Sequence, residues 1–407
     1  MPSKTLSAIF AMAMTMTMED PSTRDQLRAF QLAVSHTCQH FLNVASQSPK
    51  LWSVTQISAT SDLDWLYLCL ERSQTCALNI HVKLSKDDTA IHVAHINAVF
   101  DLLIRESHRW GSLSIDCGFE HEASPLIRRL CGAHAPQLRH LSLVINNVDT
   151  LDKEIARRIR NIDHPQIFQN CSTPDLRFVR LRDAALYGFR PRLDSVVTLH
   201  LEQTTTFYLP YSTVRQMITC SLYLTHLSIH GELIDANVSP WPMRTDVVHL
   251  PNLLSLQVCG ATGELYAGVM LGIDAPSLHS LTIQNILSGD LDPLWNHGDP
   301  TRYARLRELV VIHSDLTSAT YRRMFETFPQ ITSFSTPTTP IGTSRLKNIL
   351  MYRYHIGQEP YVPWPHLKYL TFARDGPMET QLAIAQDISA LRLISGCPLT
   401  EIFLQVR

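Results

Sequence analysis

The chain has 407 residues, with 35 Lys plus Arg against 37 Asp plus Glu and a formal net charge of −2. This balance gives no positive field suited to nucleic acid or to an anionic membrane surface. No window approaches the ~20 apolar residues that a membrane span needs. The nine cysteines are odd in number and never form a C-x-x-C pair, so we expect reduced thiols in a cytoplasmic or nuclear protein.

Two stretches near the amino terminus, Met1 to Phe10 and Leu32 to Trp52, carry apolar residues at a fixed spacing. Their characteristic positions are Pro2, Leu6, Ile9, Phe10, Val34, Cys38, Phe41, Val44, Ala45, Pro49, Leu51 and Trp52. In order and in most of the spacing they resemble the two halves of the F-box motif, as it occurs in fungal, basidiomycete-type F-box proteins with leucine-rich tails. The chain differs from that motif at Lys4, Gln39 and Phe41, where an acidic residue, a basic residue and a tryptophan are usual.

The resemblance implies a small all-α helical cluster over residues 1–57 that docks a Skp-type adaptor of a cullin ubiquitin ligase. The positions just named would form the adaptor-binding segment. The resemblance also implies that the ubiquitin chemistry is carried out by the charged E2, while this chain contributes proximity by holding a protein substrate. On this interpretation the chain is not an enzyme and uses no cofactor.

Two other interpretations of the same residues stay open. The apolar positions of the second stretch suit any amphipathic helix that packs on a neighbour. The run from Leu6 to Met18, preceded by Lys4, has the outline of a signal peptide.

The segment after residue 57 predicts a helix followed by a strand, twice in succession. Apolar residues in Asp62 to Arg72 have helical spacing, and Cys76 to Val82 alternates as a strand does. A second helix, about His95 to Arg109, then leads into the strand pattern Leu113-Ser114-Ile115. Later helices are predicted over Val214 to Cys220, Ser318 to Phe328 and Glu379 to Ile394.

A repeated pattern, P-x-L-x-x-L-x-(L/I/V) with variants, organises the rest of the chain. In successive copies of the pattern, the second apolar position is occupied by Leu141, Val179, Leu199, Leu227, Leu256, Leu281, Leu309, Phe334, Leu370 and Ile402. From Leu199 to Phe334 the steps are 25 to 29 residues, which is typical of a leucine-rich solenoid. We therefore predict an α/β fold over residues 58–407: an irregular leucine-rich-repeat-like solenoid of short parallel strands, with helices and loops on its outer face. Chance matches in a leucine-rich globular chain are the alternative.

One local concentration of positive charge stands out in the predicted solenoid. Lys153, Arg157, Arg158 and Arg160 lie in an insert, and Arg177, Arg180 and Arg182 lie in and beside the next strand. Arg177, Arg180 and Arg182 are candidate contacts for a substrate, such as an acidic degron, or for a phosphate. An ordinary solvated charged surface is the alternative.

No motif for catalysis or metal binding is found. The sequence has no Gly-rich phosphate loop, no G-x-S-x-G and no H-E-x-x-H, and its histidines are dispersed. The resemblance to F-box proteins implies a substrate-recognition subunit of a Skp-cullin-F-box type ubiquitin ligase; the alternative is a leucine-rich scaffold for protein interactions with no ligase link. The expected partners are a Skp-type adaptor with its cullin complex and a protein substrate, without nucleic acid or membrane.

Overall fold

The computed structural model describes residues 2–19, 26–84, 89–118, 126, 129–146, 167–168, 173–188, 190–205, 208–234, 241, 246–260, 263–297, 300–313, 316–336, 350, 354–356, 359–373 and 378–405. The chain forms two compact units, Met1–Val196 and Val197–Arg407. Among the helices described, none combines the length and the apolar character that crossing a bilayer would require.

The first unit begins with four helices and continues with parallel strands. Its elements are α1 (Ser3–Glu19), α2 (Leu27–His36), α3 (Gln39–Ser46), α4 (Pro49–Trp52), β1 (Val54–Ile57), α5 (Leu63–Arg72), β2 (Leu78–Leu84), α6 (Thr89–Arg105), β3 (Trp110–Cys117), β4 (His140–Ile145), β5 (Phe178–Asp183) and α7 (Ala184–Gly188). Strands β1 to β5 pair in sequence order, and each pairing is parallel.

Alternating burial along these strands separates a core face from an outward face. Ile80, Leu113, Leu141 and Val179 are paired in register across β2 to β5, and each is at most 2% exposed. The intervening residues are more exposed, as the period of two in a strand requires. The expected equivalence of Leu141 and Val179 is confirmed.

The second unit repeats the strand-and-helix arrangement. Its elements are β6 (Thr198–Glu202), α8 (Tyr211–Thr219), β7 (His226–His230), β8 (Val248–His249), β9 (Ser255–Cys259), α9 (Gly263–Gly272), β10 (Ile273–Asp274), β11 (Ser280–Gln284), α10 (Asp292–His297), β12 (Glu308–Ile312), α11 (Ser318–Thr327), β13 (Ser333–Thr336), β14 (Tyr354–Ile356), β15 (Glu359–Tyr361), β16 (Tyr369–Ala373), α12 (Met378–Ile394) and β17 (Glu401–Gln405). The parallel strand order is β6-β7-β9-β11-β12-β13-β16-β17, and β8/β10 and β14/β15 are separate two-stranded pairs.

The predicted repeat register is confirmed in this unit. We call the row of paired residues at the second apolar position the leucine ladder; its members are Leu199, Leu227, Leu256, Leu281, Leu309, Phe334, Leu370 and Ile402. All of them are at most 2% exposed except Ile402 on β17, which is partly exposed. The fold is thus α/β with stacked parallel strands.

The proline of the repeat has the role that its position predicts. In Leu250-Pro251-Asn252-Leu253, the N–H of Leu253 donates to the carbonyl of Leu250 at 3.2 Å. Equivalent bonds close the turns at Pro136, Pro174, Pro276 and Pro365. Proline suits the second position of such a turn because its ring fixes φ near the required value.

Three of the differences from the predictions have a clear physical reason. Residues 54–57, assigned to the all-α segment, form strand β1, since Val54, Thr55 and Ile57 are β-branched and pair with β2. The helix expected over 95–109 is α6, which ends at Arg105 before a 3₁₀ turn. Helix α9 was not predicted because its residues 265–272 are all buried, which removes the amphipathic pattern.

Candidate functional site

Helices α1 to α4 pack around one apolar core, which we call the helical cluster. Its buried members are Leu6, Phe10, Met14, Leu27, Val34, Val44, Ala45, Leu51, Trp52, Val54 and Cys69, with Phe30, Phe41 and Trp65 partly buried at its edge. Cys69 and Trp65 belong to α5, so the first helix after the amino-terminal segment completes this core.

Trp52 lies at the centre of the helical cluster and is fully buried. Its indole N–H donates to the carbonyl of Ala45 at 2.7 Å. Its ring contacts Trp65 edge to face with centroids 5.8 Å apart, and the Arg72 guanidinium lies 4.5 Å from the ring centroid. Both the polar and the apolar parts of this side chain are therefore satisfied inside the protein.

Helix α1 is attached to the cluster by one face. Leu6 and Phe10 are buried in the same core as Leu51 and Trp52. The Phe10 and Phe41 rings meet edge to face at 5.6 Å. The spacing of four residues between Leu6 and Phe10 places them on the same side of the helix.

The opposite face of α1 exposes apolar side chains, which we call the α1 strip: Ala8, Ile9 and Met12. Ile9 is 45% exposed and Met12 is 65% exposed. Large apolar side chains at this level of exposure, one helical turn apart, are a common feature of protein interfaces. Met12 was not among the predicted site residues because it lies beyond the F-box-like stretch that ends at Phe10.

The structure divides the predicted adaptor-binding residues into two groups. Seven form the interior: Leu6, Phe10, Val34, Val44, Ala45, Leu51 and Trp52, all below 9% exposure. Because they are covered, they hold the cluster together and offer little surface to a partner. Pro2, Ile9 and Cys38 are exposed, and Phe41 and Pro49 are partly exposed. The surface available to a partner is therefore this second group together with Met12.

Polar contacts join the helical cluster to the first strand. Gln31 is 1% exposed, and its amide Nε2 donates to the carbonyls of Leu51 at 2.8 Å and Val54 at 3.3 Å. This one side chain fixes the corner between α4 and β1. This role of Gln31 could not be recognised from the sequence, since a glutamine in an amphipathic helix is usually exposed.

Arg28 and Asp62 form a second junction, beside a small cleft. Their side chains form an ion pair at 3.2 Å, and the Arg28 guanidinium lies 5.3 Å from the Trp65 ring centroid. Asp62 caps α5 by accepting from the backbone N–H groups of Trp65 and Asp64. The bond from Trp65 is the main reason that the pKa of the Asp62 carboxyl lies below its ordinary value of 3.8, with Arg28 contributing less.

The predicted cationic residues lie at β5. Arg177 precedes the strand and is exposed, whereas Arg180 and Arg182 are half-buried on the face opposite the core residues Val179 and Leu181. The insert with Lys153, Arg157, Arg158 and Arg160 lies outside the described residues. The structure thus brings Arg180 and Arg182 to one surface.

Reactive or metal-binding groups do not stand out among the side chains that the structure describes. The eight cysteines described are free thiols, and burial raises the pKa of Cys69 to about 12, so this thiol stays protonated. No three His, Cys, Asp or Glu side chains in the described part of the chain are arranged to hold a metal ion.

Comparison of the chain with models of known protein families finds no match, and no curated protein matches it. The fold and the helical cluster define an α/β protein with stacked parallel strands and an amino-terminal helical cluster.

Proposed function

We propose that this chain is the substrate-recognition subunit of a Skp-cullin-F-box type ubiquitin ligase. The observation that carries the proposal is the α1 strip. Seven of the twelve positions that resemble the F-box motif are buried in one core, while Ile9 and Met12 remain exposed on α1. When a partner covers apolar side chains exposed in this way, the free energy of the complex is lowered.

The junction to the strands supports this role. Gln31 bonds to both sides of the α4–β1 corner, and β1 pairs with β2 throughout its length. A partner bound to α1 would therefore be held at a fixed position relative to the first strands. Such positioning is the contribution that a recognition subunit makes, because ubiquitin transfer by the charged E2 depends on the proximity of the substrate.

The stacked strands support the proposed binding of a protein substrate. Each repeat turns one side of a short strand into the core and the other side outward, so a row of variable side chains is displayed beside a constant scaffold. We infer that a leucine-rich-repeat-like solenoid holds the protein substrate on such a surface. A cytoplasmic or nuclear location would follow from this role.

A binding experiment with a recombinant Skp-type adaptor tests the proposal. The intact chain should bind at micromolar concentrations or tighter, and the Ile9→Asp, Met12→Asp double variant should bind at least about tenfold more weakly, since two charges would be desolvated at the contact. Tyr67→Asp is the matched control: Tyr67 is 60% exposed on α5 of the same unit, and its variant should bind normally.

Leu6 is unsuitable for this test because it is 3% exposed, and a charge there would disrupt the cluster itself. Circular dichroism should show that the Ile9→Asp, Met12→Asp variant remains folded. An intact chain without adaptor binding would overturn the ligase role. The second candidate, a leucine-rich scaffold without a ligase link, would then stand; the exposed Lys4, in place of the acidic residue usual in the motif, favours it.

A further inference from the structure

The parallel sheet of the second unit ends in β17, which is paired on one side only. Its residues lie in register with those of β16, and in the part of the chain that the structure describes no strand pairs with its other side. The backbone groups on that side therefore lack the ladder partners that an inner strand has. We call β17 with its unpaired side the β17 edge.

Side chains at the β17 edge are less covered than the equivalent side chains one strand further in. Leu370 and Phe372 on β16 are at most 1% exposed, whereas Ile402 and Leu404, which pair with them, are partly exposed. On the other face of β17, Phe403 is 50% exposed. Both core rows therefore end in an apolar residue that one more strand would cover.

The helix that precedes β17 does not supply a polar cap. The terminal repeats of solenoids generally present a polar outer face. On α12, however, Leu382 is 44% and Leu393 is 65% exposed, and their separation of about three helical turns places them on one face. Ile394 is 73% exposed. The repeat that contains β17 thus exposes apolar side chains on its helix as well as on its strand.

A second copy of the chain carries a strand that is complementary to the β17 edge. In an antiparallel pairing centred on Phe403, Ile402 of one copy lies opposite Leu404 of the other, so apolar residues meet apolar residues. This arrangement keeps the two Glu401 carboxylates at opposite ends of the contact. A parallel pairing in the same register would place them directly opposite each other, which is destabilising.

The edge strand of the first unit, β1, is already covered. Helix α2 contacts β1, and the side-chain amide of Gln31 on α2 donates to the carbonyl of Val54 on β1 at 3.3 Å. Pairing of β17 with β1 of another copy would require these contacts to break, whereas pairing of two β17 strands leaves them intact. A two-fold symmetric contact also closes on itself, so it produces a dimer and not a filament.

We infer that two copies of this chain associate as a two-fold symmetric dimer in which their β17 strands pair antiparallel and the two sheets become continuous. The occupant of the β17 edge is thus the same strand of a second molecule. The inference is independent of the ligase role, because it uses no residue of the helical cluster as a contact.

Sedimentation velocity of the full chain at increasing concentration tests the inference. The wild type should pass from monomer to dimer in the micromolar range, since a contact of one short strand from each copy is small compared with stable interfaces. Phe403→Lys should raise the dissociation constant of the dimer at least about tenfold, because two ammonium groups would lie opposite each other at the two-fold axis. Leu222→Lys is the matched control: Leu222 is 68% exposed in the turn before β7, and its variant should dimerise normally.

Charge exchange at the same position tests the pairing itself. Phe403→Glu alone should be impaired as Phe403→Lys is, since like charges again oppose each other. An equimolar mixture of the two variants should regain the dimer, because a Lys then lies opposite a Glu; a local loss of structure would not be repaired by mixing. Circular dichroism should show that both variants are folded. A wild type that stays monomeric, a Phe403→Lys variant that dimerises normally, or two folded variants that do not recombine would overturn the inference.

Discussion

The helical cluster and the leucine ladder are both apolar cores, but they are specified in different ways. In the ladder one contact is repeated: Leu256 pairs with Leu227 on one side and Leu281 on the other, in the same register. In the cluster each contact occurs once, as for Trp52, which combines a hydrogen bond, an aromatic contact and a cation–π contact. Repetition makes a core predictable from spacing, whereas a core of single contacts depends on a few residues.

The largest expected effect is that of Trp52→Ala in the helical cluster. Trp52 is fully buried, so truncation should reduce the free energy of unfolding by about 3 to 5 kcal/mol, through lost burial and a residual cavity. Urea unfolding followed by circular dichroism measures the loss. Hydrogen exchange should show it in α1 to α4 and not in β9 to β12. Equal loss of protection in both regions would contradict the distinction drawn between the two cores.

Leu256→Ala tests the ladder in the same way. Leu256 is 2% exposed, and its truncation should cost roughly 2 to 5 kcal/mol. The neighbouring Gln257 points to the opposite face and is partly exposed. Gln257→Ala should therefore change the free energy of unfolding by about 0.5 kcal/mol or less. If the two variants were equally destabilised in urea titrations, the assignment of core and outward faces would be wrong.

The leucine ladder could be predicted from the sequence because the features that specify it lie within a few residues of one another. The period of two along a strand and the proline turn before it are both visible in residues such as Pro251, Leu253 and Leu256. The same reasoning fails for α9, where Tyr266 is buried and its hydroxyl donates to the carbonyl of Gln284 and accepts from the backbone N–H of Gly260. A helix that is surrounded by protein on every side has no polar face, so its sequence lacks the amphipathic periodicity by which a helix is recognised.

Buried arginines show a second limit of sequence reasoning. Arg109 is 4% exposed and donates to the carbonyls of Leu70 and Cys76. Arg392 is 1% exposed and donates to the carbonyls of Pro363 and Trp364. Both arginines hold chain segments that lie 28 to 39 residues away along the sequence. Such roles depend on tertiary contacts, so charge patterning along the chain could not separate them from surface residues such as Arg177.

The junction between the cluster and the first strands can be separated from both cores by its dependence on pH. The folded-state pKa of Asp62 lies below 3.8, chiefly because the backbone N–H of Trp65 bonds the carboxylate. A lowered folded-state pKa means that the ionised carboxylate stabilises the fold, so its contribution is complete above about pH 3.8 and is lost as pH falls through the folded-state pKa.

Asp62→Asn should therefore lower the melting temperature at neutral pH, and the gap from the wild type should close in acid. The effect should be smaller than those of the two core substitutions, because the side chains of the Arg28–Asp62 pair are about half exposed and screened by solvent. Arg28→Gln, which removes the ion pair but leaves the helix cap, should reproduce only part of the loss. Thermal melts of the three proteins between neutral pH and pH 3 measure these differences. A gap between wild type and Asp62→Asn that stays constant over that range would show that Asp62 contributes no ionised cap at the junction.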